Sequence, residues 1–250
     1  DNPLAALYQD TDGIILDINR RFTELFGYTR TDIVGKHIDD IYFYPLDKIK
    51  EGQHITLQSP QQLFRHFETT RNHKDGTQIP VEINTSRLMT NQQVKGIIGL
   101  YQDITPRKQN ELLNQALYQI SQAANSPIRL GNLYCVIHRE LKKVIDATNF
   151  YIALLKEDRK KLVFVYSVDE KECDFSPQVL NDNNSLTGYL LREEKPLLLN
   201  NQQIQELKMN NKASNPGETT PDICWLGVPL KIEGKLIGAM TVQNYHDPHS

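Results

Sequence analysis

The feature that most constrains this chain is a run of strict alternation directly behind a tight turn. Ile79, Val81, Ile83 and Thr85 alternate with Pro80, Glu82, Asn84 and Ser86, just after Asn72-His73-Lys74-Asp75-Gly76. A period of two marks a strand with one buried face, and Asp-Gly is a strong hairpin signal. Residues 64–71 before it are β-prone, and residues 94–104 follow a second turn at 91–93. Strands joined by so few residues must be antiparallel, because a parallel pair needs a long crossover. Upstream, Asp12-Gly13 separates a short apolar segment, residues 3–8, from a strand at Ile14, Ile15, Leu16 and Ile18. Asn19 can cap a helix that buries Phe22, Leu25 and Phe26 and stops at Gly27. Short helical turns follow at 31–34 and around Ile38, Ile41 and Tyr42, with weak helical character over 46–57. The whole implies a small antiparallel sheet with helices on one face and a cavity between them.

Residues 109–125 contain neither Gly nor Pro, and Leu113, Leu117, Ile120 and Ala124 recur at spacings of 4, 3 and 4. That is a short heptad-like stripe, with Thr105 and Pro106 suited to the helix start. Two readings stay open: a helix packed on its own domain, or a parallel two-stranded coil joining two protomers. Ser126-Pro127 interrupts it, and a second amphipathic helix runs over 130–145. Strands are expected at 150–155 and 162–168, joined through residues 157–160. A helix capped by Ser185 follows, then a brief buried strand at Leu197, Leu198 and Leu199, a helix over 202–209 and a loop over 210–220. Strands at 225–230 and 236–242 close the pattern through Glu233-Gly234-Lys235. The fold class is α+β, with two domains, each an antiparallel sheet of about five to six strands with helices. Their bounds are 1–108 and 126–250, joined by an amphipathic helix over 109–125.

Net charge is −3 over 250 residues. That balance argues against a nucleic-acid partner, which would show a basic face. No apolar run is long enough to span a bilayer, so no membrane contact is expected within these residues. Cys135, Cys173 and Cys224 are dispersed, and neither they nor the seven histidines show metal-ligand spacing. This fits a reducing, cytoplasmic setting. No phosphate-binding glycine loop and no nucleophile elbow are present, so no catalytic residue is assigned.

Residues 3–108 resemble a PAS domain with its PAC segment. The resemblance is carried by Asp12-Gly13, Asn19, Phe22-Thr23-Glu24-Leu25-Phe26-Gly27-Tyr28, Ile33-Val34-Gly35-Lys36, Lys74-Asp75-Gly76 and Asp103-Ile104-Thr105-Pro106-Arg107-Lys108. It implies a five-stranded sensory fold, with Phe22, Phe26, Ile41, Tyr42, Phe67, Ile83 and Ile98 lining a cavity or filling the core. It also implies that Asp103 and Thr105 hold the sheet edge to the helix start. Leu113, Leu117, Ile120 and Ala124 would then relay the signal. The flavin-binding branch needs a reactive cysteine, and residues 1–110 contain none. Haem ligation would fall to His54, which reads instead as an exposed or pairing histidine.

Residues 115–250 resemble a GAF domain through Asn149-Phe150-Tyr151-Ile152-Ala153-Leu154, Ser185-Leu186-Thr187-Gly188-Tyr189 and Lys195-Pro196-Leu197. The strongest block is Trp225-Leu226-Gly227-Val228-Pro229-Leu230 with Gly234, Ile237-Gly238 and Val242-Gln243-Asn244-Tyr245. Tyr151, Tyr189, Trp225 and Met240 are its cavity candidates. Bilin attachment uses a cysteine commonly followed by histidine, whereas Cys173 precedes Asp174 and Cys224 precedes Trp225. The ligand is left unnamed. The closing helix of a GAF domain would follow His246-Asp247-Pro248, beyond Ser250. Together the resemblances imply the sensory or relay part of a bacterial signalling protein, a homodimer through the connecting helix. Its output domain, past Ser250, would be a histidine kinase, with a GGDEF diguanylate cyclase or a purely structural dimerisation module as alternatives. The parent protein could still be membrane-attached.

Overall fold

The computed structural model describes residues 3–41, 43–48, 50, 64–91, 93–156, 161–171, 178–179, 185–213, 217 and 219–246. The chain divides into two compact units, 1–110 and 111–250.

The first unit holds β1 (Ala5–Gln9), β2 (Ile15–Ile18), β3 (Phe64–Asn72), β4 (Gln78–Thr90) and β5 (Gln93–Asp103) in one antiparallel sheet of order β2-β1-β5-β4-β3. The Asp10 carboxylate accepts from the amides of Asp12 (2.9 Å) and Ile14 (2.8 Å), which closes the first hairpin. Asn19 serves two elements at once. Its Oδ1 caps α1 (Arg20–Phe26) by accepting from Phe22 N at 2.9 Å, and it also accepts from Ala6 N at 2.9 Å. Its Nδ2 donates to Leu4 O at 2.8 Å. Gly27 ends α1 in the left-handed region at φ +73°, which a side chain would resist. Thr29 and Asp32 form a capping box on α2 (Arg30–Ile33). Two 3₁₀ turns follow, Ile38–Asp40 and Leu46–Lys48; the remaining helical character expected up to residue 57 lies outside the described residues. Along β4 the parity holds: Val81, Ile83 and Thr85 are buried.

Helix α3 (Thr105–Ala124) begins at the Thr105-Pro106 start expected from the sequence, and Asp103 Oδ1 accepts from Thr105 N there at 2.7 Å. Ala116 is buried, while Leu113 and Leu117 remain 43% and 55% exposed.

The second unit contains α4 (Leu130–Leu141), β6 (Asn149–Leu155), β7 (Lys161–Val168), β8 (Gln178–Val179), α5 (Leu186–Glu193), β9 (Leu197–Asn200), α6 (Asn201–Met209), β10 (Cys224–Ile232) and β11 (Lys235–Asn244). Its antiparallel sheet has six strands in the order β8-β7-β6-β11-β10-β9. Tyr151, Ala153, Trp225 and Ala239 form one apolar layer with α5 and α6 residues such as Leu190 and Ile204. Phe150, Ile152 and Val242 form the other with Tyr134 of α4. Burial on both faces explains why residues 150–155 read as an unbroken apolar run rather than an alternation. A Cβ at Gly227 would collide with the Trp225 indole, and one at Gly238 with the Ala153 carbonyl, so both positions admit only glycine without rearrangement.

Two expectations need correcting here. Helix α4 stops at Leu141, and Val144 lies in the turn that follows. The leucine strand is not wholly buried: β9 is a sheet edge, and alternation turns Leu199 inward (8% exposed) and Leu198 outward (63%). The turn at 157–160 lies outside the described residues. No helix among the described residues is long and apolar enough to cross a membrane.

Candidate functional site

The inner layer of the first unit is an aromatic cluster. Phe22 and Phe26 of α1 pack with ring centroids 4.8 Å apart, and Phe43 and Tyr101 close on them at 4.9 to 5.7 Å in tilted or edge-on contacts. Such geometry satisfies the ring quadrupoles better than face-to-face stacking. Into this layer β3 brings a charge. Arg71 is 2% exposed, and its guanidinium lies 4.7 Å from the centre of the Tyr44 ring and 5.9 Å from that of Phe43. Its Nη1 donates to Thr70 O at 2.8 Å and to Thr69 Oγ1 at 3.2 Å.

Between sheet and helical layer lies a cavity of about 30 Å³, room for one or two waters or a group of that bulk. Phe67, Ile83 and Ile97 supply apolar wall, and Gln9, Thr85, Tyr101 and Arg71 supply polar groups. Arg71 is the one charged side chain among its described lining residues. Burial pushes the Tyr101 phenol well above its ordinary range, with Tyr44 adding to the rise and Arg71 opposing it. Tyr101 therefore stays a neutral hydroxyl throughout the physiological range.

The structure sorts the sequence candidates. Phe67 and Ile83 line the cavity. Phe22, Phe26 and Ile41 belong to the core cluster around it. Ile98 does not share that face: the register of β5 turns Ile97, Gly99 and Tyr101 to the cavity and leaves Ile98 half-buried on the opposite side. Tyr42 and His54 lie outside the described residues. Arg71 and Gln9 were missed, although Arg71 has the same parity along β3 as Phe67, and that parity was the available signal.

In the second unit, Tyr151 donates or accepts a 2.7 Å hydrogen bond with Thr187 Oγ1, and Trp225 is 1% exposed in the same layer. Tyr189 packs there half-buried, with Arg192 at 5.8 Å from its ring centre. Met240 differs: it packs with Phe150 and Ile152 on the other face, because residue 240 has the opposite parity to Ala239. On that face His138 stacks on Phe150 at 4.9 Å, and its two ring nitrogens reach Tyr166 OH (2.9 Å) and Ala147 O (2.6 Å). Among the described residues no group of three or more His, Cys, Asp or Glu is placed to hold a metal ion.

The exit from the first sheet is also built. Arg107 in the first turn of α3 pairs with Glu68 at 2.9 Å and Glu82 at 3.3 Å, and Lys108 pairs with Glu68 at 2.7 Å. Helix start and sheet are thus joined on the face opposite the cavity.

Residues 3–106 match the family described as PAS domain (PAS_9). The C4-dicarboxylate transport sensor protein DctS of Rhodobacter capsulatus is 28% identical over 148 residues, 58% of this chain and 22% of that protein. The chain therefore spans about a fifth of that relative's length. Among solved structures, the PAS domain of a protein from Colwellia psychrerythraea is 25% identical, covers 41% of this chain and 87% of its own, and superposes with a TM-score of 0.37. The PAS domain of an HTR-like protein from Haloarcula marismortui is 21% identical, covers 42% and 84%, and gives 0.34. By its family match, the first unit of this chain is a PAS domain.

Proposed function

We propose that the chain is the sensory and relay part of a signal-transduction protein, a PAS domain with its PAC segment followed by a GAF domain. In this reading it works in the cytoplasm as a homodimer. A small molecule or a conformational cue at the first domain biases the packing of α3, and α3 biases a histidine kinase output domain outside these residues. The observation that carries the reading is the continuity of cavity and helix. Strand β5 lines the cavity with Tyr101, ends two residues later at Asp103, and Asp103 holds the first amide of α3. A shift of the Tyr101 backbone is therefore transmitted to the helix start over two residues. Such coupling needs only that the ligand prefer one of two arrangements.

The name of the DctS relative, a sensor protein, supports the class of function. The GAF reading draws support from strand order. With β8 set aside, the second sheet repeats the first: second strand, first, fifth, fourth, third. The Trp225-Leu226-Gly227 segment also has its glycine packed under the indole. Native mass spectrometry of the purified chain tests the reading. A co-purifying small molecule is the expected result. An empty chain that also shows no ligand-dependent change in α3 by hydrogen exchange would leave only a structural module.

A further inference from the structure

Resting on the sensory reading above, we propose that the PAS cavity is a site for a short monocarboxylate, of the bulk of formate or acetate, anchored by Arg71. The argument begins with cost. A cation held at 2% exposure is far from bulk water, and a buried charge is stable only where the site gives back what hydration supplied. Here the guanidinium lies beside the Tyr44 ring face and lines a cavity whose lining also includes Gln9, Thr85 and Tyr101. The protein has placed positive potential and neutral hydrogen-bonding groups around one small space. An anion entering it gains Coulomb energy at reduced dielectric.

Shape narrows the class. Arginine's planar fork matches the two oxygens of a carboxylate. The neutral Tyr101 hydroxyl and the Thr85 hydroxyl can donate to an oxygen without competing charge. Phe67, Ile83 and Ile97 add apolar lining that suits a hydrogen or a methyl group. A space of about 30 Å³ admits only a few heavy atoms, which favours a one- or two-carbon acid over a larger one. The cavity touches β5, so occupancy is read where α3 begins.

The test uses the whole 250-residue chain with sodium acetate as probe, sodium chloride at equal ionic strength as control, and acetamide as the neutral isostere. Thermal shift and amide chemical shifts are read for the native chain, Arg71→Met and Arg71→Lys. Acetate is expected to raise the melting temperature in a saturable way, with acetamide and chloride without effect. Arg71→Met should weaken the apparent affinity by about tenfold or more, the usual cost of a lost hydrogen bond to a charged group, and Arg71→Lys by less. If Arg71→Met does not fold, the acetate–acetamide comparison on the native chain and on Arg71→Lys decides. Equal responses to acetate and chloride, or an undiminished response in folded Arg71→Met, overturns the proposal. Binding of acetamide but not acetate overturns the anion assignment and leaves sensing intact. Silence in every arm, together with an empty chain in native mass spectrometry, removes both.

Discussion

Arg107 of α3 reaches across to Glu68 of β3, its Nη2 lying 2.9 Å from the carboxylate oxygen. Lys108 shares the same carboxylate at 2.7 Å and Glu82 is the second anchor at 3.3 Å. Glu68 and Glu82 are cross-strand partners in the β3–β4 pair, two like charges that would repel without the basic residues between them. The helix start neutralises that pair, which lowers the Glu68 carboxyl below its ordinary range through Lys108 first and Arg107 second. Replacing both acids by glutamine should leave the sheet folded and speed amide exchange over the first turns of α3, as read by hydrogen–deuterium exchange. Unchanged protection there would mean that Asp103 alone holds the exit.

The exposed stripe on α3 predicts self-association. Leu113 and Leu117 are 43% and 55% exposed in the single chain, an apolar surface that a second helix can cover. The double variant Leu117→Asp, Ile120→Asp should move the sedimentation coefficient from dimer to monomer while the far-ultraviolet circular dichroism is kept. A dimer that survives both changes places the interface elsewhere.

Acid should act on the first unit through its hairpin and capping carboxylates. Asp75 is lowered to about 2, by the Thr77 amide first, then the Thr77 hydroxyl and His73. Asp32 lies lower still through Lys74 and the Thr29 amide and hydroxyl. Both groups stay ionised in the folded state at pH values where the unfolded chain, at 3.8, takes up protons. Their stabilisation is therefore present above about pH 4 and is lost as pH falls toward 2. Thermal melts across that window should show a falling melting temperature, with a shallower slope in Asp32→Asn and Asp75→Asn than in the native chain.

Thr241 of β11 offers a stabilising change. It is 1% exposed, and its hydroxyl has no hydrogen-bond partner among the described residues. Valine has nearly the same shape without the polar atom, and removing a buried unsatisfied group gains about 1 kcal/mol. Thr241→Val should raise the denaturation midpoint with an unchanged denaturant slope; a lower midpoint would show that the hydroxyl has an ordered water.

Much of this architecture could be read from residues alone because each signal had a single physical meaning. The alternation from Ile79 to Thr85 could only be a half-buried strand, and Asp75-Gly76 only a turn. Asn19 announced a cap, but nothing local revealed that the same amide also satisfies Ala6 and Leu4 across the sheet. Ile98 was assigned to the cavity as an apolar residue in an apolar run, where composition carries no parity; only the pairing of β5 with β1 and β4 sets which side it takes. Leu198 failed in the same way, since a short leucine run does not say whether its strand is central or at an edge. Arg71 escaped notice for a different reason. Charged residues in strands usually face water, and its burial follows from Phe43 and Tyr44, contributed by a loop some thirty residues away in sequence.

In the first sheet Ala5, at the start of the opening strand, sits opposite Tyr101, near the end of the closing one. Antiparallel neighbours are about 5 Å apart, so the polypeptide enters and leaves this domain through the same doorway. A module with that plumbing is a cassette. It can be excised, duplicated or exchanged along a gene without any strand losing its neighbour.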